Sequence, residues 1–311
     1  LRAARFLVVT VICLVIMIYY GLQLPDIQTS LTTSATEWLS KKLGGSVNIS
    51  SVKISWLDEV TFEDVSIKDL KGRDMIFVRE IYVNCKTNFV FNMAELVDVD
   101  FKLSPFHFDV RFNPRKIIIF DDNLDYVMLK NPEVKLVKEK SGQLNFDDWI
   151  NSINHLIQPD PSKSKPNHNK PFTIDDAYVQ DGFVSLTDPR KARLPENQFD
   201  YFNFRIDGIN ASLENFLVLG DTITFNAKSL KGVERRSDLV IKDIKTDFFY
   251  CRSAMKLKNL EARINNSYIG DGINFYYDRP SAFNDFNAKV KMQANLKDCS
   301  LDAQDLGRFS S

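Results

Sequence analysis

The sequence has little of what catalysis and redox chemistry need. Its three histidines, His107, His155 and His168, stand far apart, and no GxGxxG, Walker, HExxH or GxSxG pattern occurs. A metal site or a nucleophilic triad is therefore not expected, and no cofactor is implied. The paired carboxylates Asp121-Asp122 and Asp175-Asp176 are read as turn residues rather than as an acid and base. Four cysteines, Cys13, Cys85, Cys251 and Cys299, include no CxxC pair. They are expected to be buried free thiols, with one bridge among the last three as the alternative. Charge of one sign is missing too. Lys and Arg number 40 against 41 Asp and Glu, so no basic face favours nucleic acid. Glycine and proline are sparse, at 12 and 11 in 311 residues, whereas phenylalanine reaches 24, a bias toward sheet.

Long apolar runs are also rare, with one exception. Phe6 to Leu22, FLVVTVICLVIMIYYGL, carries no charge. As a helix rising ~1.5 Å per residue it extends about 25 Å, and Gln23 and Leu24 lengthen it toward the ~30 Å of a bilayer core. Arg2 and Arg5 precede the run, and no Lys or Arg follows until Lys41. The positive-inside bias then predicts a single-pass membrane anchor over 1–24 with a cytoplasmic N-terminus and the remainder beyond the membrane. Phe6 and Leu14 lie in the hydrocarbon on this reading, and Tyr19 and Tyr20 at the far interface. A secretory signal peptide is the competing reading, but its apolar core spans ~7 to 15 residues before a small-x-small site, unlike Tyr20-Gly21-Leu22. Leu1 is not a methionine, so the natural start is expected upstream.

From 25 to 45, Ile27, Leu31, Ala35, Trp38, Leu39 and Leu43 recur at helical spacing before Gly44-Gly45. Ser and Thr dominate the other face, which predicts a helix packed on the next domain. Over 46–158 the period drops to two, with turns at Asp58-Glu59 and Lys71-Gly72-Arg73-Asp74. The alternation switches parity at Ser50-Ser51 and near Asp64, which predicts bulges and hence curvature. It continues through Val97, Val99, Phe101 and Leu103. Asn145, with Asp148 three residues on, marks a second helix through Ile157. Residues 159–171, PDPSKSKPNHNKP, read as a mobile linker. Over 172–311 short strands resume at Phe172 and Ile174, Val184 and Leu186, Phe202 to Ile206, Ile209 to Leu213, Ile223 to Ala227 and Ile273 to Tyr277. The last and cleanest sets Ala288, Val290, Met292, Ala294 and Leu296 against polar neighbours.

The expected fold is mainly β with few short helices: a sandwich, a barrel or an elongated, curved antiparallel sheet in one layer, the last being the arrangement that the bulges favour. Two amphipathic helices cannot cover so many apolar strand faces. The faces bearing Val97, Val99, Phe101, Leu103, Ala288, Val290, Met292, Ala294 and Leu296 are accordingly expected to line a groove for acyl chains.

Several segments resemble the N-terminal region of TamB proteins, most strongly those of Bacteroidota. They are the anchor, Ala35 to Gly44 (ATEWLSKKLG), Val60 to Gly72 (VTFEDVSIKDLKG), Gly142-Gln143-Leu144-Asn145, Leu230 to Leu239 and Asp302 to Phe309 (DAQDLGRF). The resemblance covers nearly the whole chain and contains no catalytic signature. It implies an AsmA-like protein with a taco-like groove, anchored in the inner membrane. It further implies phospholipid transport to the outer membrane or outer-membrane protein assembly, with phospholipid and a TamA-like outer-membrane barrel as partners. Such proteins are much longer, so contact with the barrel is expected through residues outside this chain. A membrane-anchored sensory or binding ectodomain, or an assembly scaffold without lipid transport, is the alternative.

Overall fold

The computed structural model describes residues 46–55, 59–69, 71–85, 97–100, 109–112, 123–146, 171–279, 282–283 and 286–309, together with nine helical residues between Ile16 and Ser40. The strands are β1 (Ser46–Asn48), β2 (Ser51–Ser55), β3 (Glu59–Lys68), β4 (Asp74–Cys85), β5 (Val97–Asp100), β6 (Asp109–Phe112) and β7 (Asn123–Val137). They continue with β8 (Phe172–Thr187), β9 (Asn203–Leu219), β10 (Thr222–Glu234), β11 (Leu239–Cys251), β12 (Ala254–Ile264), β13 (Ser267–Tyr276) and β14 (Lys291–Leu296). Two single-turn helices, α1 (Phe286–Lys289) and α2 (Ala303–Gly307), flank β14.

Twelve strands form one open, curved sheet in the order β1-β3-β4-β7-β8-β9-β10-β11-β12-β13-β14, with β2 beside β1 on the same edge of β3. All its pairings are antiparallel except β7 with β8, which run parallel. That junction joins the two expected β segments into one sheet across the 159–171 linker, of which residues 159–170 lie outside the described residues. β5 and β6 form a separate two-stranded sheet.

Length separates the strands observed from those expected. The breaks in alternation at 174–184 and 206–209 do not end strands. They lie inside β8 and β9, of 16 and 17 residues. Asp64 in β3, Asn131 in β7, Asp181 in β8 and Gly208 in β9 all have left-handed backbone, with φ of 47°, 48°, 52° and 59°. Asn and Asp tolerate this conformation best among residues with a side chain. Because β4 takes up an extra residue opposite Asp64, Glu63 still pairs with Glu80 and Val65 with Val78. Similarly, Lys130 pairs with Gln180 and Glu133 with Phe183 on either side of Asn131 and Asp181. The bulges thus fall on a line crossing neighbouring strands, and the strands turn together. Gly182 is required on this line, since a Cβ there would lie 2.8 Å from Pro132 Cγ. A second line carries Asn215 in β9 (φ 53°) and Asn259 in β12 (φ 50°). There the Asn215 amide donates to Asn226 Oδ1 (2.9 Å), and the Asn226 and Asn259 amides donate to the two oxygens of Asp247 (2.6 Å each).

One rim of the sheet is tied by the segment around α2. Asp302 caps that turn by accepting from Gln304 N–H. Asp305 accepts from Ser267 Oγ (2.7 Å), Asn266 N–H (3.0 Å) and Arg308 Nη1 (3.1 Å). Arg308 Nε reaches the Ser237 carbonyl (2.8 Å), and the Arg308 carbonyl accepts from Phe199 N–H (2.7 Å). A single segment thereby fastens the turns after β8, β10 and β12.

Several carboxyls in this framework are held below their ordinary range. The Arg190 guanidinium brings Asp188, whose residue surface is fully buried, to about 2. Asn259 and Asn226 lower Asp247. At Asp305 burial pushes upward, but the Ser267 and Asn266 donors and Arg308 outweigh it. A carboxyl with a depressed pKa stabilises the fold above the unfolded value of about 4, and that contribution is lost as pH falls through the folded value. The thermal midpoint should therefore hold from pH 7 to about 4 and drop between about pH 4 and 2. A midpoint constant across that lower window would contradict this assignment.

Several expectations are corrected at the level of single residues. Asn145 takes part in a contact that the capping pattern does not imply, while the residues it would cap lie outside the described residues. Its Oδ1 accepts from Val137 N–H (2.9 Å) and its Nδ2 donates to the Lys135 carbonyl (3.2 Å), closing the loop that follows β7. The helix expected after it lies outside the described residues. Asp175 and Asp176 sit within β8, not beside a turn. Cys251 and Cys299 are free, but Cys251 is only half-buried and Cys299 is exposed. The side chain of Cys85, and all of Cys13 and the three histidines, lie outside the described residues.

Candidate apolar face

Register converts scattered hydrophobic residues into continuous rows. Phe172, Val218, Ile223, Tyr250, Met255, Phe275 and Met292 pair successively from β8 to β14. Two residues further along the strands, Ile174 pairs with Phe216, and Phe225 pairs in turn through Phe248, Leu257 and Ile273 to Ala294. Phe216 and Phe225 stack at 6.2 Å and join the two parts of this row, and Phe225 stacks on Phe248 at 4.6 Å. Beyond the second line of bulges, Val60, Val83, Val127, Ala177, Leu213 and Ala227 form a third row. Val52, Phe62, Ile81, Leu129, Val179, Ala211 and Leu230 form a fourth.

The opposite face mixes polar residues with a smaller aromatic cluster, Tyr82, Tyr126 and Tyr178, on β4, β7 and β8. It is laced with ion pairs such as Lys130–Glu80 (2.8 Å), Lys228–Glu214 (3.0 Å) and Lys245–Glu261 (3.6 Å). Exposed pairs of this kind add little stability. Their effect is to mark off the two faces: charge is concentrated on this one, and the other carries continuous apolar rows over many strands.

Coverage of the apolar face is uneven. β9 lies in the interior of the sheet, yet none of its 17 residues is fully buried. Phe216, Phe225, Phe248, Leu257 and Ile273 are half-buried, and Met292 is 56 % exposed. An apolar side chain left in this state gains ~25 cal/mol for each Å² that another apolar body covers. If the 14 side chains of the first two rows each have roughly 40 Å² to give up, complete coverage is worth about 14 kcal/mol. A row crossing seven strands at ~4.8 Å spacing runs about 29 Å.

The residues expected to line a groove are divided by the structure. Met292 and Ala294 end the two rows, beside Phe275 and Ile273, and Leu296 pairs with Asp271. All six residues of β14 are exposed, because its second edge has no strand partner among the described residues. The strand is shorter than the alternation implies. Ala288 belongs to α1, and Val290 follows it, its N–H donating to the Phe286 carbonyl (3.0 Å). Val97 and Val99 lie in β5, where their backbone partners are Phe112 and Val110, apart from the twelve-stranded sheet. Phe101 and Leu103 lie outside the described residues. The aromatic centre of the face, Phe216, Phe225 and Phe248, was not singled out by the sequence. Its signal is one phenylalanine in each of three strands, and only the register aligns them.

Of the anchor positions only Tyr20 is described, in helical conformation, and Phe6, Leu14 and Tyr19 lie outside the described residues. Among the described residues no helix is long and apolar enough to cross a membrane, and no cluster of His, Cys, Asp and Glu could hold a metal ion. In comparison with known proteins, the chain matches no family model and no curated sequence.

Proposed function

We propose that the chain is the inner-membrane-anchored part of a TamB-like protein whose apolar sheet face carries the acyl chains of phospholipid across the periplasm. The observation that carries this reading is the pair of rows from Phe172 to Met292 and from Ile174 to Ala294, half-buried over β8 to β13 and exposed on β14. They run across the strands and offer a track about 29 Å long, close to the ~30 Å hydrocarbon thickness of a bilayer. The lines of bulges run the same way, so bending about them folds the sheet into a trough with the rows along its length. Tails lie on the rows while head groups stay solvated at the open seam. The chain then serves as a passage and not as an enzyme, and a TamA-like barrel is the expected outer-membrane partner.

Native mass spectrometry of the detergent-purified 311-residue chain tests this reading. One or more phospholipids should remain bound and be displaced by excess fatty acid. A chain that carries no lipid, and takes up no fluorescent fatty acid when one is offered, excludes an acyl passage and favours a scaffold.

A further inference from the structure

At the rim where β11 turns into β12 and β13 leads toward α1, the surface carries a depression of about 420 Å3, a size usual for small-molecule sites. Its lining includes Ser253, Tyr276, Asp278, Lys289 and Lys291. The walls are fixed. Tyr277 donates its N–H to the Ser253 carbonyl and its hydroxyl to the Cys251 carbonyl (3.0 Å each), and its buried ring meets Phe283 edge-on at 4.9 Å. Charge here is unbalanced. Asp278 is the only carboxylate among the described lining residues, whereas Lys289 and Lys291 are accompanied by Arg252, exposed in the turn before β12, and by Lys256, whose ammonium lies 5.8 Å from the Tyr276 ring centre. Arg252, Lys256 and Lys291 join no ion pair among the described residues, in contrast to Lys228 with Glu214 and Lys245 with Glu261 on β10 and β11. Apolar surface begins one residue away. Ala254, Tyr276 and Lys291 pair across the strands immediately outside Met255, Phe275 and Met292 of the first row, a step of about 3.4 Å. Phe283 and Phe286, both exposed, pack on Phe275 at 6.1 and 5.9 Å.

We infer that this depression is a head-group site that takes the phosphate of an anionic phospholipid, with Lys289 and Lys291 as its cations. This rests on the reading of the rows as an acyl track, and it adds a selectivity that apolar rows lack, since they do not distinguish one head group from another. A phospholipid carries its charge and its chains side by side, and Lys291 and Met292 are adjacent in the same way. Lysine suits this place, because its flexible stem lets the ammonium follow a head group that stays in water. Free phosphate would use the same cations but not the apolar wall of Phe275, Phe283 and Phe286. A zwitterionic head group brings an ammonium of its own, which Arg252, Lys256 and Lys291 repel.

Native mass spectrometry of the full chain in non-ionic detergent, with phosphatidylglycerol and phosphatidylcholine of matched acyl chains supplied equally, tests this. Phosphatidylglycerol adducts should exceed phosphatidylcholine adducts about tenfold. Lys289→Gln with Lys291→Gln should bring the two adducts level while phosphatidylcholine binding stays unchanged, which also shows that the chain remains folded. Lys228→Gln with Lys245→Gln removes the same charge elsewhere on the sheet and should keep the preference; its loss there would reduce the preference to net charge and overturn the site. Equal adducts on the parent chain, or a preference that survives Lys289→Gln with Lys291→Gln, overturns the head-group site and leaves the acyl track standing. Absence of both lipids from the parent chain overturns the track and the site together. Inorganic phosphate is the second probe, read by the acetylation rates of Lys289 and Lys291. Phosphatidylglycerol should protect them more strongly, and equal protection by inorganic phosphate would assign the depression to free phosphate and overturn the lipid head group.

Discussion

A chain carrying Phe225→Asp and Phe248→Asp is expected to fold and to bind no lipid. The two rings stack at 4.6 Å in the middle of the second row, and both are half-buried. Losing that contact costs about 0.5–1.5 kcal/mol, and exchanging aromatic for aspartate in a strand costs up to about 1 kcal/mol at each position. The carboxylates remain hydrated at an open face, so the total should stay near 3 kcal/mol or below and leave a cooperative transition. Acyl chains lying over the same positions would have to strip water from two charges at several kcal/mol each, enough to lower lipid occupancy more than a hundredfold. Val83→Asp is the contrast. Val83 is 4 % exposed and packs with Leu124, Phe62 and Ile174, so a carboxylate there should unfold the domain. Bound lipid and thermal midpoint read on all three chains separate the cases. Retained lipid in the double aspartate chain would show that the rows are not the track. Loss of its folded state would show instead that they form a dry core.

The sequence made the character of the strands plain and concealed their continuity. β14 alternates so cleanly that its apolar and polar sides are evident by inspection, and the parity change at Asp64 coincides with its φ of 47°. The same signal misled at β8 and β9. A parity change is what either a strand end or a bulge produces, and only the register of the neighbouring strands distinguishes them. β11 and β12 left a weaker trace, because Lys242, Asp243, Lys245 and Asp247 crowd the alternation of one, and Lys256, Lys258 and Asn259 that of the other. Asn226 and Asp247 looked like ordinary exposed polar residues, whereas they join Asn215 and Asn259 in a cross-strand ladder. The parallel pairing of β7 with β8 is a long-range choice with no local signature. For the same reason the row through Phe216, Phe225 and Phe248 was illegible: each residue is an unremarkable strand phenylalanine until three registers are known.

The first line of bulges should be the most sensitive to substitution by residues that favour ordinary strand geometry. Asn131 and Asp181 sit side by side at φ of 48° and 52°, and the Asn131 amide donates to Asp181 Oδ2 (3.2 Å) and to its carbonyl (3.4 Å). Valine is among the best strand formers and among the worst residues for positive φ, where its branched Cβ meets the backbone. With about 1–2 kcal/mol of strain at each site and about 1 kcal/mol for the lost amide contact, Asn131→Val with Asp181→Val should cost roughly 4 kcal/mol. Escaping that strain would require straightened strands, and a straightened β8 would turn Val184 and Leu186 onto the polar face, since one residue of slip reverses the side of every following side chain. Glycine provides the matched comparison. Asn131→Gly with Asp181→Gly loses the same amide contact but accepts positive φ without strain, so its cost should stay near 1–2 kcal/mol. Urea denaturation of the two double variants, with binding of a fluorescent fatty acid as the second readout, checks both parts. The valine chain should lose stability and fatty-acid binding together, while the glycine chain keeps the binding. Equal destabilisation of the two would mean that the left-handed backbone at these positions does not shape the sheet.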